Sequence, residues 1–184
     1  MYVATKQKVA NRGIPPDHFL DEMVVWGRSA AEDIFAPNVA NDIYSSVKAV
    51  LGPWKGADHR RAVMLEVMRV LAGFESSWRW DVGVDTTSAQ IKNANNTEAG
   101  AWQVSADSMG LAPELKDLVR SRIHTTDGAA FQTAMKQDHQ LAMEYIARLL
   151  RVTTRANGPV KRHEIDQWLS PAAVEEFRAL LVAP

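Results

Sequence analysis

The stretch Leu71-Ala72-Gly73-Phe74-Glu75-Ser76-Ser77-Trp78-Arg79-Trp80 (LAGFESSWRW) decides how this chain is read. Apolar and aromatic residues at that density mark a core segment, yet they enclose a carboxylate, Glu75, followed by two serines. Upstream, Val63, Val67, Val70, Leu71 and Phe74 form an apolar stripe at helical spacing, and Met64, Leu65 and Met68 fill a second flank. The helix that starts at Asp58 is therefore predicted to be mostly buried. Val67, Leu71 and Glu75 follow one another at i, i+4 and i+8, so a helix that continues through Glu75 carries the carboxylate on its apolar stripe. Desolvation there raises a carboxyl pKa and leaves a protonated group near neutral pH, which is what a general acid needs. The plainer alternative is a helix-terminal glutamate turned to water.

Beyond this helix the periodicity stops. From Asp81 to Gly100 (DVGVDTTSAQIKNANNTEAG) Asp, Thr, Ser and Asn accumulate, which predicts a long loop or a small β-hairpin of a length that is often functional. Trp78, Trp80 and Trp102, half of the six tryptophans, flank this polar excursion. Indole faces serve as platforms for sugars, and filling of the core is the competing use.

The remaining pattern is helical. Asp17 can cap a helix running through Phe19, Met23, Trp26 and Ala30 towards Phe35, and a second helix starts near Asn41 or Asp42 and ends before Gly52-Pro53. Helical spacing returns around Ser105, from Pro113 to Ile123, and over one long span from Asp127 to Val152. After Asn157-Gly158-Pro159 two shorter helices are expected, one through Ile165 and Trp168 and one from Pro171 to Leu181. The fold class is mainly α. Residues 1–16, with Lys6, Lys8 and Arg12 ahead of Pro15-Pro16, are expected to form a mobile or peripheral arm, leaving 17–184 as a single domain.

Composition narrows the function by exclusion. With 21 basic and 22 acidic residues the net charge is -1, so neither a nucleic acid nor an anionic membrane surface is called for. No run approaches the roughly 20 apolar residues of a membrane span. There is no cysteine, and the histidines (His18, His59, His124, His139, His163) are scattered without a metal-ligand motif, so no metal and no cofactor are expected. Phosphate loops and G-x-S-x-G elbows are absent as well. The first residues lack the apolar core of a secretory signal, which carries the expectation of cytoplasmic synthesis and export by a non-Sec route. Lys55, Arg60, Arg61, Arg69 and Arg79 lie close in sequence around the Glu75 helix; they are either a solvated face or a surface for substrate carboxylates.

A Glu-Ser pair at the end of a buried helix, a polar stretch, and then Gly100-Ala101-Trp102-Gln103-Val104-Ser105 resemble the lysozyme-like superfamily, particularly goose-type lysozymes and lytic transglycosylases. The resemblance spans roughly Asp58 to Ser108, with a weaker echo at Arg155 to Arg162 (RANGPVKR). It implies a lysozyme-like domain that cleaves the β-1,4 bonds of peptidoglycan strands, as a muramidase or an N-acetylglucosaminidase, with Glu75 as the acid. Ser76 would support the acid, Gln103 would hydrogen-bond substrate or water, and Asn157 would contact a sugar; a surface amide and a plain turn are the bland readings of the last two. Gln103 lies 28 positions after Glu75, and Trp-Gln-Val stands where lytic transglycosylases tend to have Leu-Met-Gln. Hydrolysis calls for a second carboxylate, for which Asp81, Asp85 and Glu98 are candidates and Asp85, ten residues after the acid, is preferred. A small wall hydrolase of this kind suits an antibacterial effector of type VI secretion, with a cognate immunity protein over its cleft, or a phage endolysin. A chitinase and a non-catalytic glycan- or protein-binding module are the rivals.

Overall fold

The computed structural model describes residues 1–38, 41–83 and 93–183. In chain order these form α1 (Asp17–Ser29), a 3-10 turn (Glu32–Phe35), α2 (Ile43–Leu51), α3 (Ala57–Ser76), a 3-10 turn (Ala106–Leu111), α4 (Pro113–Ile123), α5 (Gly128–Gln137), α6 (His139–Val152), α7 (Gly158–Lys161), a 3-10 turn (Asp166–Trp168) and α8 (Pro171–Val182). The protein is mainly α. Residues 84–92 of the polar stretch expected as a long loop or a small hairpin lie outside the described residues; the described residues contain no strand, and a lone antiparallel bridge joins Ala99 to Val104. No described helix is long and apolar enough to cross a membrane.

Local chemistry explains where the helices begin and end. Asp42 caps α2 by accepting from the Ser45 amide, and Asp127 caps α5 through the amides of Ala129 and Ala130. Two helices are shorter than the apolar periodicity predicts. The first stops at Ser29 because Ala30 and Ala31 are extended, and the carbonyls of Gly27 and Ala30 are taken by the Arg61 guanidinium, whose Cζ also lies 4.5 Å from the Phe35 ring centroid. The long span from Asp127 divides at Asp138, whose side chain accepts from the Leu141 amide and so starts α6 afresh.

Around α3 are packed α1, the 3-10 turn at Glu32–Phe35, α2, α6 and α8, and every residue from Ala62 to Gly73 is buried. Two of these are charged. Glu66 and Arg69 are both 0% exposed, one turn apart, and their side chains meet in a two-bonded fork of 2.7 Å each, Nε to Oε2 and Nη2 to Oε1. The remaining valences reach outward: Oε1 of Glu66 accepts from the Ser170 amide at the start of α8, and Arg69 donates to the carbonyls of Gln7 and Trp168. The pair thus ties α3 to both ends of the chain.

The arm, expected to be mobile or peripheral, is held against α3 and α8. Val9 and Thr5 are fully buried, and Glu176 of α8 accepts from the amides of Val3 and Thr5 and from the Thr5 hydroxyl, each at 2.7 Å. The arm is short of periodicity because its amides bond to side chains and turns instead of to a helix ladder. Arg69→Met should destabilise the fold by about 3–5 kcal/mol in urea unfolding, because it strands a buried carboxylate. Glu66→Met combined with Arg69→Met should recover part of that loss; a single variant as stable as the wild type would mean that the fork carries no stability.

Candidate active site

At its C-terminus α3 is closed by two consecutive residues in the left-handed region, Ser77 (φ 57°) and Trp78 (φ 59°). Their amides return to the carbonyls of Gly73 and Ala72 at 3.1 and 3.2 Å. This reversal lays the Trp78 indole back over the helix, where Nε1 donates to the Arg69 carbonyl at 2.9 Å. The close approach requires Gly73, since a Cβ there would meet the indole Cε2 at 2.8 Å.

Residues 99–104 form the facing wall. Ala99 and Val104 exchange backbone hydrogen bonds of 3.0 and 3.2 Å around a tight turn. Gly100 takes φ 75°, and a Cβ at that position would run into the Met135 carbonyl. The turn docks on α3 through two side chains: Ser76 Oγ donates to the Ala101 carbonyl at 2.8 Å, and Trp102 Nε1 donates to the Met68 carbonyl at 2.9 Å. The Glu-Ser pair and the Gly-Ala-Trp-Gln segment are therefore in direct contact.

Glu75 sits beside this junction, partly buried. Burial pushes its carboxyl up to about 7, Glu98 and Glu164 add to the rise, and Arg12 and Arg162 oppose it. Three other chain segments bring charge to bear on this one group of α3: the N-terminal arm, the approach to the 99–104 turn, and the corner after α7. Among the described residues none hydrogen-bonds the carboxylate, so its proton is not committed to a neighbour. Glu75 lines none of five cavities of about 210 to 410 Å³ formed by described residues.

The other expected site residues divide. Gln103, with φ 47°, donates its amide to the carbonyls of Gly100 (2.7 Å) and Val82 (3.5 Å), which staples the turn and leaves its side-chain oxygen without a described partner. Ser76 is buried and holds the wall to the helix by donating to Ala72 and Ala101; it supports Glu75 through the backbone, without touching the acid. Trp78 and Trp102 are 3% and 2% exposed, so their faces pack the core and offer no platform to a sugar. Trp80 is partly exposed but stacked on His139 at 3.8 Å and 9°, with its other contacts to Phe19 and Trp102. His139 in turn meets the Glu22 carboxylate. Asn157 is 8% exposed and caps α7 by accepting from the Val160 amide, which is a structural use instead of a sugar contact.

Asp85 lies outside the described residues. Of the other two candidate partners, Asp81 and Glu98 are both exposed, and it is Glu98 whose charge acts on Glu75. Nor do the neighbouring cations form an open surface. Arg69 is consumed by Glu66, Arg60 donates to the Phe35 carbonyl, Arg61 to the end of α1, Arg79 to the Ser76 carbonyl, and Lys55 pairs with Glu175. Among the described residues no group of three His, Asp or Glu is placed to hold a metal.

Sequence reasoning missed Glu66 and the role of Arg12, Arg162 and Glu164. Two opposite charges at i and i+3 inside an apolar helix signal a buried pair, whereas residues brought together by the ends of the chain leave no local trace. Comparison with protein-family models, with curated proteins and with solved structures gives no match to this chain.

The raised carboxyl has a thermodynamic signature. Because the folded-state pKa of Glu75 lies above its ordinary 4.5, the folded state holds the proton more tightly, and the stabilisation present below that value is lost as pH rises through about 7. Glu75→Gln should remove this slope and be more stable than wild type at pH 8, by at most about 3 kcal/mol. Urea unfolding at pH 4 and pH 8 measures it, and parallel pH profiles for the two proteins would contradict the desolvation of Glu75.

Proposed function

We propose that the chain is a lysozyme-like glycoside hydrolase that cleaves β-1,4 bonds in the glycan strands of peptidoglycan, with Glu75 as general acid. The observation that carries this reading is a carboxyl held at about 7 by burial, at the meeting point of four chain segments and beside a turn built from Gly100-Ala101-Trp102-Gln103. At neutral pH a large fraction of such a group is protonated, while an ordinary glutamate is almost wholly ionised.

In the proposed reaction Glu75 gives its proton to the glycosidic oxygen as the bond to the anomeric carbon breaks, and an oxocarbenium-like charge develops on the sugar. Water then attacks that carbon and passes a proton to Glu98, the exposed carboxylate whose charge acts on Glu75. The charge of Glu98 adds to the burial that raises the Glu75 carboxyl. Gln103, its amide held by two carbonyls, presents its side-chain oxygen to a substrate hydroxyl or to that water. An antibacterial effector neutralised by an immunity protein that covers Glu75 is the biological setting this reading fits.

Digestion of purified sacculi, followed by mass analysis of borohydride-reduced products, tests the reading. Wild type should release soluble fragments, with kcat/KM falling as pH rises above about 7. Glu75→Gln should lower turnover by about 10²–10⁴-fold with glycan binding retained. A reduced muramic end would mark a muramidase, and a reduced glucosamine end a glucosaminidase. Absence of fragments from folded wild-type protein, or equal turnover by Glu75→Gln, would overturn the proposal, and cleavage of chitin oligomers alone would redirect it to chitin.

A further inference from the structure

The corner after α7 presents alternate residues to two different places. Arg162 and Glu164 pair with each other at 2.7 Å and both act electrostatically on Glu75. Their neighbours Lys161 and His163 instead line a separate cavity of about 380 Å³, together with Ser45 and Ser46 from the first turn of α2 and Thr154 and Arg155 from the link between α6 and α7. The wall is held in register where the Thr154 amide donates to the Asn41 carbonyl at 2.9 Å.

The chemistry of this wall is one-sided. Among the described residues, Arg155 and Lys161 have no carboxylate partner, and the hydroxyls of Ser45, Ser46 and Thr154 have no hydrogen-bond partner. His163 bonds to Asp166 through Nδ1 at 3.1 Å. Of the acids adjacent in sequence to lining residues, Asp42 is buried and already accepts from the amides of Asn38 and Ser45, and Glu164 pairs with Arg162, so neither lines the cavity. A concave wall with two unpaired cations and three hydroxyls, and no carboxylate among its lining residues, is complementary to an oxyanion, whose oxygens would take charge-assisted hydrogen bonds from those cations and hydroxyls.

We propose that this cavity is an oxyanion-binding subsite that takes a carboxylate or a phosphate group. The site stands on its own residues; the link to peptidoglycan, whose stem peptides carry free carboxylates, rests on the function proposed for Glu75. Sharing one corner with the Glu75 neighbourhood, the subsite would hold an anionic substituent of the same polymer that meets the acid.

Amide-detected NMR titration of the full chain at constant ionic strength tests this with two probes, inorganic phosphate and N-acetyl-D-alanyl-D-alanine, and with the C-terminal amide of the dipeptide as the uncharged control. At least one anion should produce saturable shifts at Ser45, Ser46, Arg155 and Lys161, and the tighter of the two identifies the source. Arg155→Ala with Lys161→Ala, both at exposed positions, should keep a folded spectrum and weaken binding by about tenfold or more. Glu75→Gln should bind as wild type does, so failure of glycan cleavage would leave this result standing. No saturable shift with either anion, equal shifts with the uncharged amide, or undiminished binding by the double variant would overturn the subsite.

Discussion

The fork between Glu66 and Arg69 sets the terms for the rest of the molecule. A charged pair at 0% exposure costs several kcal/mol per ion in lost hydration, and that cost is met only when every remaining valence is occupied. Here the occupants are the Gln7 and Trp168 carbonyls and the Ser170 amide, so the N-terminal arm and the approach to α8 are obliged to sit against α3. Burial pushes the Glu66 carboxyl up, and the adjacent guanidinium and the Ser170 amide pull it back towards the charged form.

Nine residues further along the same helix, Glu75 meets a similar loss of water without a cation bonded to it. The arm that Arg69 anchors brings Arg12 near, and the corner after α7 brings Arg162, but Glu98 and Glu164 offset them and desolvation prevails. One helix therefore carries two glutamates of opposite character: one held in an ion pair inside the core, and one free to keep a proton at its edge. The left-handed reversal at Ser77 and Trp78 produces this difference, because it ends the helix at the point where the carboxylate leaves the packed stripe.

Much of this was legible in the chain. The buried helix, the caps at Asp42 and Asp127, the break at Gly52-Pro53 and the bounds of α4 follow from apolar spacing and turn chemistry, which are local. The division at Asp138 was hidden because Leu141, Tyr145 and Leu149 continue the stripe across it, and only the carboxylate's bond to the Leu141 amide restarts the helix. Trp78 and Trp102 misled as sugar platforms because an indole suits a core as well as a cleft; what decides is the partner of Nε1, here a carbonyl on α3 in both cases. Arg12 was opaque for a different reason, since it acts on Glu75, a residue far from it in the sequence.

The titration of the Glu75 side-chain carboxyl, followed by its carbon chemical shift in selectively labelled protein, tests the central claim most directly. A midpoint near 7 is the expected result and would establish a proton-carrying acid at the end of α3. A midpoint at the ordinary 4.5 would show a solvated, ionised glutamate and would contradict the account of the site.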